Sequence, residues 1–142
     1  MQALYRSLSL VLVVGTFSQA QSDFDLKKHY RKSEHMVPMR DGVRLFTSVY
    51  VPLDTTRFYP IMFVRTPYSV APYGVDKYRT TLGPSKLFDR QGYIFVHQDI
   101  RGKFMSEGKY EYHAPIRPEE NGTKPVDHST DTYDTIEWLI KN

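Results

Sequence analysis

Residues 60–68, which read Pro-Ile-Met-Phe-Val-Arg-Thr-Pro-Tyr, constrain the fold of this chain more than any other stretch. Residues 61–64 form a short, continuous apolar run, which predicts a strand buried on both faces, as in the parallel sheet of an α/β protein. Pro67 keeps Thr66 out of the α region, so the chain turns where the strand ends. We therefore expect Tyr68 at the carboxyl end of an interior strand, where open α/β sheets bind their ligands.

A pattern upstream of this strand predicts an antiparallel hairpin. Residues 34–39 and 43–51 flank the turn Arg40-Asp41-Gly42, in which glycine suits a positive φ. Apolar and polar side chains roughly alternate along residues 43–51, which is typical of a strand buried on one face. The hairpin is therefore expected at the edge of the sheet.

Downstream, two helices and a second apolar run complete the predicted elements. Pro84 and Gly92 bracket a short helix, and residues 93–96 are again apolar. Strand, helix and strand at this spacing predict a βαβ crossover and a parallel pair of strands. A final helix is predicted over residues 130–141, capped by Ser129 or Thr130. Its apolar face is expected to consist of Tyr133, Ile136, Leu139 and Ile140.

The first 20 residues have the pattern of a signal peptide. Arg6 supplies a positive charge, residues 8–14 form an apolar run, and Ser18-Gln19-Ala20 offers small residues for cleavage. This run is far shorter than the roughly 20 apolar residues that a membrane span needs, so we favour export and cleavage over a membrane anchor. We expect a secreted or periplasmic protein without a membrane span after cleavage. Its parts are a signal peptide (1–20), a polar linker (21–33) and one folded domain (34–142).

Composition excludes several classes of site. The sequence contains no cysteine, which rules out disulfides, thiolate nucleophiles and cysteine-ligated zinc. The five histidines lack metal-binding spacing such as His-x-x-x-His, and we predict no metal and no other cofactor. A formal net charge of +3 is too small for the electrostatic footprint of a nucleic-acid-binding protein. The basic cluster of Lys27, Lys28, Arg31 and Lys32 is interpreted as part of the solvated linker.

Four motifs occur in series along the chain. They are Val37-Pro-Met-Arg-Asp-Gly-Val-Arg-Leu45, Arg65-Thr-Pro-Tyr68, Gln98-Asp-Ile-Arg-Gly102 with Ser106-Glu-Gly108, and Asp131-Thr-Tyr-Asp-Thr-Ile-Glu-Trp-Leu139. Over residues 34–142 this series resembles one branch of the serine α/β-hydrolases. The branch includes X-prolyl dipeptidyl-peptidases, cocaine esterase, α-amino-acid ester hydrolases and glutaryl-cephalosporin acylases. The resemblance implies an α/β fold, with the hairpin and the parallel strands forming the N-terminal half of an α/β-hydrolase sheet.

The same resemblance implies a role for Tyr68. In this family the tyrosine of the Arg-x-Pro-Tyr motif donates its hydroxyl to the developing oxyanion, beside the backbone N–H that follows the nucleophilic serine. The position of Tyr68 alone would equally allow a ring that only packs at the end of the strand. The family also has a Gly-x-Ser-x-x-Gly nucleophile elbow, followed by the acid and the histidine of a triad, and the chain has no counterpart of them. Ser106 lies in a loop rather than in a strand-to-helix elbow. We therefore expect a chain that ends before its nucleophile elbow and is inactive alone.

Two groups of residues near the predicted site leave alternatives open. Asp99 and Arg101 follow the second apolar run, where they either bind substrate or fix the loop by ion-paired hydrogen bonds, and we favour the second. Met105, Tyr110 and Tyr112 either line a pocket or are ordinary loop aromatics. Residues that recognise the substrate are not predicted.

Three functions remain open from the sequence. The first is the N-terminal portion of an exported serine hydrolase that cleaves ester or amide bonds, in the manner of an α-amino-acid ester hydrolase or acylase. The second is a fragment of an X-Pro dipeptidyl-peptidase. In both cases the partner is a small acyl ester or amide or a short peptide. The third is a secreted, non-catalytic binding module whose tyrosine-rich loops bind a sugar or a peptide.

Overall fold

The computed structural model describes residues 24–112, 116–119, 122 and 125–142. The predicted signal peptide, residues 1–20, lies outside this part of the chain. Within the described residues no helix has both the length and the apolar character needed to cross a membrane. In chain order the elements are α1 (Leu26–His29), β1 (Tyr30–Pro38), β2 (Arg44–Pro52), β3 (Ile61–Thr66), a 3₁₀ turn (Phe88–Arg90), β4 (Ile94–Asp99) and α2 (His128–Lys141).

The four strands form one mixed sheet in the order β1-β2-β4-β3. β1 and β2 are antiparallel and paired from Tyr30↔Pro52 to Pro38↔Arg44, which confirms the predicted hairpin. β2 also pairs antiparallel with β4. β3 and β4 are parallel, with Ile61 opposite Ile94 and Thr66 opposite Asp99, which confirms the predicted crossover. The architecture is therefore α/β, as expected.

The position of β3 in the sheet differs from the prediction. β4 passes between β2 and β3, so β3 is an edge strand of the described sheet and β4 is interior. Ile61 and Val64 keep 44% and 42% of their surface exposed, whereas β4 is buried from Phe95 to Asp99. The expectation of an interior β3 strand buried on both faces was wrong, because an apolar run reveals neither the strands beside it nor the segments that pack on its faces.

The predicted polar linker is also partly wrong. Residues 24–33 carry α1 and the start of β1, and Asp25 caps α1 by accepting a hydrogen bond from the Lys27 amide at 3.1 Å. Leu26 and Tyr30 are buried in a core cluster. Lys32, assigned above to a solvated basic cluster, has no exposed side-chain surface. Among the charged residues of this segment, Leu26 and Tyr30 pack into the core and attach the segment to the sheet.

Each face of the sheet is covered by a different segment. The connection from β3 to β4 covers one face, where the core cluster consists of Leu26, Tyr30, Tyr50, Leu82 and Phe95. The predicted helix in this connection is reduced to the 3₁₀ turn, and Leu87 is exposed. α2 covers the other face, where Trp138 packs against a second cluster of Val37, Met39 and Leu45.

Helix α2 begins two residues earlier than predicted and uses another cap. Asp127 accepts hydrogen bonds from the amides of Ser129 and Thr130 at 2.9 and 2.8 Å, and the Thr130 hydroxyl accepts one from the Asp127 amide at 2.9 Å. These reciprocal contacts form a capping box. The predicted apolar stripe is not the buried one, since Tyr133, Ile136 and Ile140 are exposed and the fully buried α2 residues are Asp131 and Thr135.

Asp131 joins α2 to the ends of β3 and β4. Its carboxylate accepts hydrogen bonds from Arg101, Nη2 to Oδ1 at 2.6 Å and Nε to Oδ2 at 3.1 Å, and lies 3.6 Å from Nη2 of Arg65. Arg65 also donates to Gln98 Oε1 at 2.7 Å and to the His128 carbonyl at 2.6 Å. Burial lowers the pKa of Arg65, and the neighbouring Asp131 charge opposes this change. The network therefore stabilises two guanidinium groups that burial alone would disfavour.

A second buried polar cluster lies beneath the connection from β3 to β4. Lys32 Nζ contacts the carbonyl oxygens of Pro72, Gly74 and Lys77 at 2.8, 2.9 and 2.9 Å and the Glu34 carboxylate at 2.7 Å. The ammonium thus binds the loop to β1. An ion so enclosed replaces its lost hydration with hydrogen bonds from protein groups.

His97 lies next to this cluster. Its ring is buried and stands edge-on to Tyr50, with the centroids 6.0 Å apart, and its Nε2 has no hydrogen-bond partner among the described residues. Burial lowers the pKa of His97 to about 4, and the positive charges of Arg79 and Lys32 contribute to the decrease. The imidazole is therefore neutral near pH 7.

Replacing Asp131 by asparagine should lower the free energy of unfolding by about 3–5 kcal/mol, because Arg65 and Arg101 would lose the carboxylate that compensates their buried charges. Urea denaturation near pH 7 measures the change. Glu137→Gln is the matched control on the same helix, since Glu137 pairs with Lys141 at the surface. That variant should lose less than about 0.5 kcal/mol. Equal losses would contradict the structural role of the Asp131 network.

Acid should destabilise the protein through His97. The folded-state pKa of about 4 lies below the ordinary value of 6.5, so the unfolded chain binds the proton first as the pH falls. This contribution to stability is complete above pH 6.5, is lost between pH 6.5 and 4, and amounts to roughly 2–3 kcal/mol. Unfolding of His97→Gln at a series of pH values should show a smaller loss over this range. His29→Gln, at an exposed position, should keep the full loss; identical pH profiles for wild type and His97→Gln would refute the assignment.

Candidate functional site

Tyr68 lies two residues beyond β3, at the edge where the carboxyl ends of β3 and β4 meet. Thr66 is opposite Asp99 in the register, its carbonyl accepts a hydrogen bond from the Ile100 amide at 3.2 Å, and its hydroxyl accepts one from the Tyr68 amide at 3.0 Å. The Tyr68 side chain is 85% exposed, and no hydrogen bond to its hydroxyl forms within the described residues. The backbone is held while the phenol is free to meet a ligand.

Asp99 ends β4 and holds the loop that follows Tyr68. The residue is fully buried. Its Oδ1 accepts a hydrogen bond from the Val70 amide at 3.0 Å, and its Oδ2 accepts from the Tyr73 hydroxyl at 2.9 Å and from the Met105 amide at 3.3 Å. Burial raises the pKa of Asp99, and these three hydrogen bonds oppose the increase. The structure shows Asp99 fixing loops, but through neutral donors rather than through the ion pairs that were expected.

Arg101 has the ion-paired role that was expected of both residues. Besides Asp131, it binds Asp41 in the hairpin turn, with Nη1 to Oδ2 at 2.7 Å and Nη2 to Oδ1 at 3.2 Å. The hydrogen bonds from Arg101 to Asp131 and Asp41 raise the pKa of this guanidinium. Arg101 thus connects the turn between β1 and β2 to α2, and its donors are already used by protein carboxylates.

The loop after β4 is fixed by contacts to β2. The Ser106 hydroxyl donates to the Asp99 carbonyl at 2.6 Å and accepts from the Phe46 amide at 2.8 Å. Both capacities of the hydroxyl therefore serve the loop, as expected for a serine outside a nucleophile elbow. Gly102 has φ +70°, and a Cβ at this position would lie 2.1 Å from the Tyr110 nitrogen. Only glycine allows this close approach of the two backbone segments.

The loop after β4 displays apolar side chains, of which Met105, Tyr110 and Tyr112 were considered as pocket residues and Phe104 was not. Phe104 has φ +47° and a side chain 60% exposed, and Met105, its neighbour, is also exposed. Tyr110 packs under Lys103, whose Nζ lies 3.8 Å from the ring centroid, and against Tyr112. Met105 is thus linked to the Asp99 edge through its own amide, whereas the two tyrosines form a separate cluster. Phe104 was not predicted, because no sequence pattern distinguishes one loop aromatic from another.

A cleft of about 220 Å³ lies at the amino end of α2, apart from Tyr68. Its charged lining residues largely satisfy one another, since Arg101 pairs with Asp131 and Arg117 donates to Glu111. Asp127 serves as the helix cap, so its carboxylate is engaged by backbone amides of α2. Among the described residues, no group of three or more histidine, aspartate or glutamate side chains is placed to hold a metal ion.

Comparisons with known proteins agree on one family. The family model of X-Pro dipeptidyl-peptidases (S15 family) matches residues 41–142. Cocaine esterase from Rhodococcus sp. (strain MB1 Bresler) is 38% identical over 109 residues, which are 77% of this chain and 16% of that protein. A solved α-amino-acid ester hydrolase aligns with 80% of this chain at 40% identity and a TM-score of 0.66. An aminopeptidase from a marine sediment Thaumarchaeota archaeon aligns with 96% at 36% identity and a TM-score of 0.64.

The chain spans about one sixth to one fifth of the length of these relatives. The matches confirm the resemblance drawn from the four motifs. They also confirm the α/β-hydrolase fold class, in which β1–β4 form the N-terminal half of the sheet and α2 packs on one of its faces. On the family match and the shared fold, the chain belongs to the S15 family of X-Pro dipeptidyl-peptidases.

Proposed function

We propose that this chain forms the N-terminal part of the catalytic domain of a serine hydrolase that cleaves ester or amide bonds, with Tyr68 as a donor to the oxyanion. The observation that carries the proposal is the exposed phenol of Tyr68 on an anchored backbone, at the carboxyl ends of two adjacent parallel strands. This edge is where α/β proteins place their ligands. The ester hydrolase and esterase names of two relatives support a substrate of the acyl ester or amide class.

The chemistry assigns separate tasks to Tyr68 and to a serine. In acyl transfer by serine hydrolases, the serine hydroxyl attacks the carbonyl carbon, and negative charge develops on the carbonyl oxygen. A phenol O–H directed at that oxygen binds the transition state more strongly than the ground state, which lowers the barrier. The leaving group departs, and water then releases the acyl group from the serine. Because the sequence contains neither a Gly-x-Ser-x-x-Gly nor a Gly-x-Ser-x-Gly elbow, we propose that the nucleophile and its base come from outside residues 1–142.

A second candidate is supported by the family description and by the archaeal aminopeptidase. Both concern enzymes that act on peptides, so release of an X-Pro dipeptide from a peptide amino terminus is the alternative substrate class. The two candidates share the oxyanion chemistry of Tyr68 and differ in the leaving group. An X-Pro p-nitroanilide and a p-nitrophenyl ester of similar acyl size distinguish them by their kcat/KM values.

We also propose that the protein is exported to the periplasm or the medium, after cleavage near Ala20. The support is the charged, apolar and small-residue sequence pattern of residues 1–20. The intact mass of the protein recovered outside the cytoplasm, compared with that of the whole translation product, tests this proposal.

Residues 1–142 expressed alone should not react with a fluorophosphonate probe, because such probes modify an activated serine and the described serines lack a nucleophile elbow. The complete product of the gene that encodes these residues should be labelled and should hydrolyse p-nitrophenyl esters. Heat-denatured samples of both proteins provide the control for non-specific labelling. Labelling of the 142-residue chain would contradict the proposal, and an unreactive complete product would favour a binding module.

In the complete gene product, Tyr68→Phe should lower kcat roughly 100- to 1000-fold, as the loss of one oxyanion donor does in other hydrolases. The melting temperature should stay nearly unchanged, because the hydroxyl makes no hydrogen bond within the described residues and the side chain is exposed. The control is Tyr133→Phe, since Tyr133 is also exposed but lies on α2. This variant should leave kcat unchanged. Unchanged turnover in Tyr68→Phe would assign this tyrosine to packing alone.

A further inference from the structure

We propose that Asp99 is a positioning residue, which sets the placement of Tyr68 and of Phe104 relative to the substrate's reacting group. The proposal rests on the proposed function of Tyr68. It adds a buried carboxylate that touches neither substrate nor reacting atoms but fixes two turns that display side chains at the same edge of the sheet.

The first support is the backbone conformation of these turns. Ser69 and Phe104, with φ of +76° and +47°, are the two non-glycine residues with positive φ in the described part of the chain. Such conformations are costly for residues with a Cβ, and they persist only where surrounding contacts determine them. Both turns therefore need an anchor.

Asp99 provides an anchor for each turn through the residue that follows it. The Val70 amide, next after Ser69, donates to Oδ1 at 3.0 Å, and the Met105 amide, next after Phe104, donates to Oδ2 at 3.3 Å. One carboxylate thus holds two turns that are 35 residues apart in the sequence. Since Asp99 is fully buried, water does not compete for either oxygen.

Additional contacts tie the same carboxylate to the Tyr68 loop. The Tyr73 hydroxyl donates to Asp99 Oδ2 at 2.9 Å and lies 2.9 Å from the Ser69 hydroxyl. The Tyr73 ring packs edge-on against Phe46, with the centroids 5.1 Å apart. Ser69, directly after Tyr68, is therefore fixed through its side chain as well as through its neighbour's amide.

The exposed groups next to these anchors differ in chemistry. Tyr68 presents a hydroxyl, whereas Phe104 and Met105 present exposed apolar surface. A donor for the oxyanion beside an apolar wall suits an ester or amide whose acyl or leaving group is apolar. Because catalytic contacts require placement within about 0.5 Å, a common anchor would keep the donor and the wall in register.

Asp99→Asn in the complete gene product tests the proposal. An amide in place of the carboxylate directs an NH₂ group at one of the two backbone donors, so one anchor is lost while the volume is kept. The matched control is Asp89→Asn, since Asp89 is equally buried and its Oδ1 accepts from the Leu82 and Gly83 amides at 2.9 and 3.1 Å in the same connection. Both variants are measured with p-nitrophenyl butyrate, alone and combined with Tyr68→Phe.

We expect Asp99→Asn to lower kcat at least about 10-fold with KM changed less than about threefold, since a misplaced donor weakens the transition state more than the ground state. In the Tyr68→Phe background the further loss should be below about twofold, because residues that act through one another are not additive. In Asp99→Asn, amide hydrogen exchange should accelerate at whichever of Val70 and Met105 faces the new NH₂ group. In Asp89→Asn, exchange at Leu82 and Gly83 should stay close to the wild-type rate, because both amides donate to one oxygen that the asparagine carbonyl replaces. Asp89→Asn should leave kcat within about twofold of wild type, because its loop carries no proposed catalytic group.

Three outcomes would overturn the proposal. Equal kcat losses from Asp99→Asn in the wild-type and Tyr68→Phe backgrounds would show that Asp99 does not act through Tyr68. Equal kcat losses in Asp99→Asn and Asp89→Asn would assign the effect to general destabilisation. Unchanged kcat in Tyr68→Phe would overturn the proposed function of Tyr68, and the positioning role with it. The first two results, obtained with a normal loss in Tyr68→Phe, would overturn the positioning role alone.

Discussion

The arrangement of this fold depends on the ion pairs of the buried Asp131 carboxylate. This carboxylate meets Arg101 from the end of β4 and Arg65 from β3, and Arg101 continues to Asp41 in the hairpin turn. Helix, hairpin and parallel strands are thus joined at a single edge of the sheet by opposite charges with little exposure to water. Hydrophobic packing alone would leave the helix free to slide, whereas bidentate ion pairs define one position. That edge is the one from which Tyr68 extends.

The sequence allowed prediction of the hairpin, the parallel pair of strands and the final helix. It did not allow prediction of the strand order or of the helix face that is buried. Alternation and glycine placement depend on local backbone geometry, so they identify elements reliably. The order β1-β2-β4-β3 depends on pairing between distant segments, and the run at Ile61–Thr66 carries no information about it. The same limit applies to α2, where the stripe through Ile136 and Ile140 is exposed and the buried face carries Asp131 and Thr135. Asp131 accepts a hydrogen bond from Arg101, just after β4, and Thr135 accepts one from Gln98 on β4.

The candidate site was predictable to a similar extent. The proline directly after β3 places Tyr68 at a carboxyl edge, and the motif series led to its proposed role. The loop-fixing function of Asp99 and Arg101 was foreseen, although only Arg101 uses ion pairs. Phe104 and the positive φ of Ser69 were not foreseen, because they result from contacts between two loops that meet only in the folded chain. A local sequence pattern does not identify residues that affect a site only by positioning another residue.

The enclosure of Lys32 makes this amine an internal reporter of the native state. Its Nζ contacts three carbonyl oxygens and one carboxylate, and its side chain has no exposed surface. An acylating reagent cannot reach this nitrogen until β1 and the loop over residues 72–77 separate and the amine can lose its proton. Lys28, four residues earlier, is largely exposed and reacts without any opening. The ratio of the two modification rates, read by mass spectrometry of proteolytic peptides that separate the two lysines, therefore reports how often this part of the molecule opens.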